Sequence, residues 1–387
     1  MEQDRNGQEK DPVLVIIQLS GGNDFMNTVI PYTNGIYHDV RPLVGIPEDR
    51  VLPINDELAF HPSAGPLRDM YKAGNVAIVQ GIGYENSSRS HFRAMDIWHT
   101  CEPNTIATEG WLAKVIRELD PGGENPLTGV SFGRGLPRAM AAPGVTATSV
   151  GNLDNYGLMT GIERHQERER RLEAFKRVYA PATGTGVVMD YLAQTGQDVL
   201  RGADMISVAP QRYSSSIEYA DNPIARGLRD VARVHTAGLG TRIFYTQHGG
   251  YDHHAQEVPV HAKLLAELSG AIGDFLDDLR EHESAEEVAI LVFTEFGRRI
   301  QDNGSGTDHG SGGGAFIIGE NVNGGLYSQY PSIERQDWLN DEDMRHTVDF
   351  RGIYGTLLEQ WMGIEPSEIV NGEFEQIQPF RKTLIEA

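Results

Sequence analysis

The sequence predicts an α/β protein, a mostly parallel central sheet flanked by helices on both faces. Three observations predict it. Short, continuous apolar runs rich in β-branched residues recur along the chain, the pattern of strands buried on both faces. Between them lie segments whose apolar residues repeat at three- and four-residue spacing, as on one face of a helix. Each apolar run ends in a turn carrying glycine and polar residues, and in parallel sheets ligands bind at the carboxyl ends of the strands.

The elements follow in order. Residues 1–11 are polar and acidic and are expected to be a disordered leader, with a single domain over 12–387. Val13–Leu19 is the first strand and runs into Ser20-Gly21-Gly22-Asn23-Asp24. Asn75–Gln80 is the second, followed by a short loop and then Asn86-Ser87-Ser88-Arg89-Ser90-His91. Residues 120–160 are rich in Gly, Pro and Asn and read as loop, the start of a loop-rich insertion near 120–220. Glu163–Tyr179 reads as a highly charged, solvated helix. Ile224, Leu228, Val231 and Val234 mark a shorter amphipathic helix. Arg242–Thr246 is a third strand, followed by a glycine turn and Asp252-His253-His254. Leu264, Leu265, Leu268, Ile272, Phe275, Leu276 and Leu279 line one face of a long helix. Glu287–Thr294 is a fourth strand, ending at Glu295, and Gly314–Ile318 a fifth. Between them a glycine-rich loop carries Asp308-His309. Phe350–Gly363 closes the domain as a helix with Ile353, Leu357 and Trp361 on its apolar stripe.

Lysine plus arginine total 33 against 55 aspartate plus glutamate, a formal charge of −22. That balance argues against nucleic acid and against an anionic membrane as partners, since both need a cationic surface. No apolar run approaches the roughly 20 residues that span a bilayer. The N-terminus lacks a charged-then-apolar export signal, so the chain as written reads as cytoplasmic. The one cysteine, Cys101, leaves no internal disulfide or zinc–thiolate cluster and is expected to be a buried small residue.

The strand ends gather Asp, Glu and His without Cys. Carboxylates and imidazoles suit zinc, manganese, iron or magnesium rather than metals selected by thiolates. A pair of divalent ions on such a set would clamp the attacking and leaving oxygens of an ester displacement. The chain has no GxGxxG after a strand, no GxxxxGK[ST], no GxSxG and no HExxH, so dinucleotide, P-loop, serine-elbow and zincin chemistries are not expected.

The runs LSGGNDFMNTVIPY, SRSHFRAMDIWHT, HGGYDHH, FTEFGRR and GTDHGSGG, in this order, resemble the bacterial family catalogued as domain of unknown function 1501. That family looks like a branch of the alkaline phosphatase and sulfatase superfamily, and the resemblance spans about Val13 to Gly363. It implies an alkaline-phosphatase-like fold and a metal-dependent hydrolase or transferase of a phosphate or sulfate ester. One or two divalent ions (zinc, manganese, iron, calcium or magnesium) would be held by Asp24, Asp252, His254, Glu295 and His309. Phe296 stands where relatives often place a histidine beside the late carboxylate, which weakens the second ion's site. The nucleophile position falls on Ser90 or His91: a serine would attack, a histidine would bind metal or form a covalent intermediate. Arg89 would hold the oxyanion or form a structural ion pair, and the Cys-x-Pro-Ser-Arg motif of formylglycine sulfatases is absent. His248 and His253 are candidate proton donors; His61, Arg41, Asp349 and Arg351 are expected to pack or support. The expected partner is a small anionic ester. Relatives are often exported to the periplasm. A non-hydrolytic metalloenzyme (lyase, isomerase or oxygen-using) and a degenerate metal-binding protein on the same fold are the alternatives.

Overall fold

The computed structural model describes residues 11–154 and 201–381, with isolated positions between them. Most of the charged helix expected at Glu163–Tyr179 and residues 1–10 of the expected leader lie outside the described residues. Among the described residues nine strands form the central sheet. They are β1 (Val13–Ser20), β2 (Val76–Gly83), β3 (Gly129–Phe132), β4 (Thr148–Val150) and β5 (Ile243–Gly249), followed by β6 (Val288–Thr294), β7 (Gly313–Ile318), β8 (Gly325–Tyr327) and β9 (Val348–Asp349). Their order is β8-β2-β7-β6-β1-β5-β3-β4, with β9 beside the end of β2. A small three-stranded sheet (Val29–Ile30, Leu52–Pro53, Ala59–Phe60) lies apart from it.

The sheet is mostly parallel, as the sequence predicts. β1 pairs in parallel with both β5 and β6. β7 alone runs against its neighbours β2 and β6. Its apolar run carries no directional information, but a glycine-rich loop rather than a helix links it to β6, and a return without a crossover makes neighbours antiparallel. The stretch after residue 120 corrects the expectation of loop, because Gly129–Phe132 and Thr148–Val150 complete one edge of the sheet in parallel register. Four and three residues are too short to show a pattern against the glycines and prolines around them.

β1 is buried on both faces because its side chains alternate between two cores. Val13, Val15, Ile17 and Leu19 face α1 (Gly65–Lys72), α4 (Pro223–Thr236) and α5 (Glu257–Glu281). Leu14 and Ile16 face α2 (His91–Thr100), α3 (Trp111–Leu119) and α6 (Phe350–Thr356). The second core fixes α2: Trp98 stacks on Phe350 at 4.4 Å and on Phe293 of β6 at 5.2 Å between ring centres. Cys101 is buried and ends α2 in the left-handed region. No helix among the described residues is long and apolar enough to cross a membrane.

Because Trp98 is 1 % exposed and holds α2 to the sheet, Trp98→Ala should destabilise the fold by about 3–5 kcal/mol. Denaturant unfolding of the purified variant measures this; a loss below about 1 kcal/mol would show that the stack does not anchor α2.

Candidate metal centre

Four strand ends supply the polar cluster. After β1 the chain turns at Gly21 (φ +123°), where an added Cβ would lie 2.4 Å from the Asp252 nitrogen. The turn after β1 and the loop after β5 touch only because residue 21 has no side chain. The loop after β5 carries Asp252, His253 and His254. Glu295 follows β6, and the loop returning to β7 brings His309 to the same edge. His91 is the first residue of α2, downstream of β2.

Three imidazoles meet one carboxylate here. His309 Nε2 lies 3.0 Å and His254 Nε2 3.1 Å from Asp252 Oδ1. The two Nε2 atoms are 2.9 Å apart. His91 Nε2 lies 3.4 Å from Asp252 Oδ2; it is sealed from solvent and makes no hydrogen bond. His91, Asp252 and His309 bring one ligand atom each within 4.8 Å of one another.

The opposite ring nitrogens settle where the protons sit. His309 Nδ1 faces the Arg89 carbonyl at 2.8 Å, which only accepts, so Nδ1 carries the hydrogen. His254 Nδ1 faces Asp308 Oδ1 at 3.0 Å and His91 Nδ1 faces Glu295 Oε1 at 2.8 Å. With Nδ1 engaged on each ring, a ring in its neutral form would turn an Nε2 lone pair towards Asp252, His91 beside Oδ2 and His254 and His309 beside Oδ1. Two Nε2 atoms 2.9 Å apart beside a carboxylate are held together either by a proton on one of them or by a cation between them. Partners on the outer nitrogen are the arrangement that orients metal-binding histidines. The donor set of His91, Asp252 and His309, with His254 alongside, thus fits a divalent ion.

Charge on the cluster is set by neighbours. Burial works to raise the Asp252 pKa, but the Arg298 hydrogen bond and charge and the His309 contact hold it well below the usual carboxylate range. Hydrogen bonding to Glu295 raises the His91 pKa, against burial and with help from Asp252. The His254 hydrogen bond lowers that of Asp308.

Two expected ligands are placed otherwise. Asp24 is fully buried and its carboxylate is taken by Arg41, at 2.5 Å and 3.3 Å. Glu295 has its oxygens on His91, the Gly21 amide (2.9 Å) and the Thr294 hydroxyl (3.1 Å), so it orients His91 instead of facing the corner. Arg89 does not offer its guanidinium to an oxyanion, because Asp343 (2.6 Å) and Glu342 (3.0 Å) hold it. Its contribution is the carbonyl on His309. Ser90 is exposed at the N-cap of α2 with no capping bond from its side chain, whereas His91 points into the cluster. His248 is buried against Tyr251 and Glu267, and His253 points inward beside His261, so neither faces the corner. Asp349 and Arg351 pair with each other.

Sequence reasoning missed Asp308 as the orienter of His254 and Arg298 as the partner of Asp252. It also missed Glu257. That residue is 1 % exposed, accepts from Thr307 Oγ1 at 2.7 Å and shares a hydrogen bond with Asp24. Burial and the Asp24 charge push its pKa up to about 9. Burial also acts to raise the Asp24 pKa, yet Arg41 holds it far below the usual range. The pair carries one proton at neutral pH. The only sequence signal for Glu257 is a glutamate opening a long helix, the commonest place for one.

A cleft of about 830 Å³ opens from the cluster along α2. Gln18, Ser20, Gly21, His91, Asp252 and Glu295 line its inner end. Its rim carries Phe92 and Ile106, 92 % and 81 % exposed, together with Arg93 and Arg138.

The model of a family described as "Protein of unknown function (DUF1501)" matches residues 12–372. No curated protein matches the chain. Among solved structures, it is similar to an alkaline phosphatase superfamily protein from Vibrio parahaemolyticus, at 9 % identity and a TM-score of 0.43 over 93 % of this chain and 70 % of that one. A sulfatase from Pseudoalteromonas sp. gives 11 % identity and a TM-score of 0.42, over 95 % of this chain and 71 % of that one. A lipoteichoic acid synthase from Listeria monocytogenes gives 8 % and 0.38, over 94 % and 76 %.

The buried acid pair generates a pH signature. Glu257 keeps its proton in the folded state up to about pH 9. In the unfolded chain a glutamate loses it near pH 4. Stability therefore falls as pH rises through that window, by on the order of 1 kcal/mol per pH unit at most. Glu257→Gln, which cannot ionise, should stay folded and flatten the decline between pH 5 and 9. Parallel slopes for wild type and variant in urea unfolding across pH would contradict a protonated Glu257.

Proposed function

The chain belongs to the DUF1501 family, and from that premise we propose that it is a metal-dependent hydrolase of a phosphate or sulfate ester. His91, Asp252, His254 and His309 would hold the metal. The observation that carries this reading is the convergence of three Nε2 lone pairs on one carboxylate, each outer Nδ1 being tied to a fixed acceptor. Three imidazoles favour zinc or iron over calcium or magnesium, which prefer all-oxygen sets. A divalent ion there would supply Lewis acidity to an ester oxygen and to water.

The remaining work falls to the chain. Arg298 keeps Asp252 ionised, and Glu295, Asp308 and the Arg89 carbonyl fix the three rings. The ester would enter along the cleft lined by Ser20, Gly21, Phe92 and Ile106. Arg93 and Arg138 stand there against Asp96, Asp252 and Glu295. A divalent ion turns that net negative balance positive, so an anionic ester is retained by the loaded protein and repelled by the empty one. In this reading water is the nucleophile, because Ser90 does not line the cleft and His91 is committed as a ligand.

A second reading rests on that same His91. It offers a lone pair where a covalent ester mechanism needs a hydroxyl, which suits a lyase, isomerase or oxygen-using enzyme on the same donor set.

Protein purified without chelator should carry bound zinc or iron by elemental analysis. His309→Ala and Asp252→Asn should each lose it by about tenfold or more in affinity. With aryl phosphates and sulfates as probes, Ser90→Ala should keep turnover within about twofold, while His91→Ala should lose both metal and turnover. Retained metal without turnover of either ester class would favour the second reading. Loss of turnover in Ser90→Ala with metal intact would restore the serine as nucleophile.

A further inference from the structure

We propose that this centre is built for a single metal ion, with the guanidinium of Arg298 serving as a permanent second cation. The inference rests on the metal reading above and concerns what surrounds that ion. The Arg298 side chain is fully buried. Its Nε donates to Gly22 O at 2.7 Å and its Nη1 to Thr307 O at 2.9 Å. Its Nη2 donates to Gly21 O, to Tyr251 O at 2.8 Å and to Asp252 Oδ1 at 2.9 Å. Four backbone carbonyls and one carboxylate oxygen therefore converge on one positive group. A hard divalent cation prefers the same kind of all-oxygen shell. Here a covalently tethered cation takes the place, held by the turn after β1, the loop after β5 and the loop before β7.

Among the described residues, the buried routes to a second ion are obstructed. The Phe296 ring follows Glu295 and packs 4.9 Å from the ring centres of both His91 and His309, an apolar wall where a further ligand would have to stand. Asp24, the next buried carboxylate, is closed by Arg41, which also donates to Ile300 O and Arg299 O. Glu295 Oε1 is committed to His91 and the Gly21 amide. A second divalent ion would meet a guanidinium already bonded to the ligand carboxylate, at a distance too short for solvent to screen.

The test counts ions. Protein reconstituted with excess zinc, then desalted, should hold one ion per chain by elemental analysis and native mass spectrometry. Reconstituted with Mn(II), it should give the six-line spin-resonance spectrum of an isolated ion. Two ions per chain, or a spin-coupled Mn(II) spectrum, overturns the inference while leaving the metal reading intact. Absence of any bound ion overturns both. Arg298→Ala removes the tethered cation and leaves the oxygen shell. Its melting temperature should rise by about 5 °C with millimolar calcium or guanidinium, with wild type unmoved. A folded Arg298→Ala protein indifferent to both cations counts against the tethered-cation role. If that variant does not fold, Arg298→Lys retains the charge and should still bind one ion; two ions in it would overturn the inference as surely as two in wild type.

Discussion

Three imidazoles crowd one carboxylate here, and such crowding is tolerated only where protons or a cation supply positive charge among them. The arrangement at the carboxyl edge of the sheet answers that constraint. Each ring is locked from behind by an acceptor, so none turns its lone pair away. Asp252 is held ionised by a guanidinium that reaches it from the protein interior. The turn after β1 comes close enough to take part only because Gly21 has no side chain. The cores on both faces of β1 hold these loops in place, with α2 and its His91 pinned by the Trp98 stack.

Behind the corner lies a second electrostatic problem with a different solution. Asp24, Arg41 and Glu257 are all buried, and three charges there would be expensive. One proton shared by the two acids leaves a single ion pair; Asn27 and Thr307 donate to Glu257, and Tyr37 in turn donates to Asn27 Oδ1. The pair ties the chain after β1 to Arg41, and Glu257 ties it to the start of α5. None of the three lines the cleft.

Much of this was legible in the sequence. The five strands showed because continuous apolar runs are rare outside buried strands. The loops carrying Asp252, His254 and His309 stood out because histidine next to aspartate among glycines has few structural uses, and the structure brings them together. Other features depend on partners that only tertiary structure supplies. Asp24 looked like a ligand until Arg41, 17 residues on, proved to occupy it. Glu295 and Asp252 are both carboxylates after strands, and nothing local distinguishes the one that meets two imidazoles from the one that hydrogen-bonds the back of His91. Ser90 and His91 were separable only by the direction in which the first turn of α2 points. The strands at Gly129–Phe132 and Thr148–Val150 are too short to stand out from the turns beside them.

The reversed strand β7 has a bearing on how such a protein can diversify. Because β6 and β7 are hairpin neighbours, the segment from Glu295 to Gly312 leaves the sheet and returns to it at one edge. Its length is not tied to any crossover. Residues can be gained or lost near Asn303 and Gly304, at the exposed tip, without changing strand order or register. Any such change has to spare the Asn303 side-chain amide, which bonds the His254 carbonyl and Asp308 and so ties the tip of the segment to the cluster.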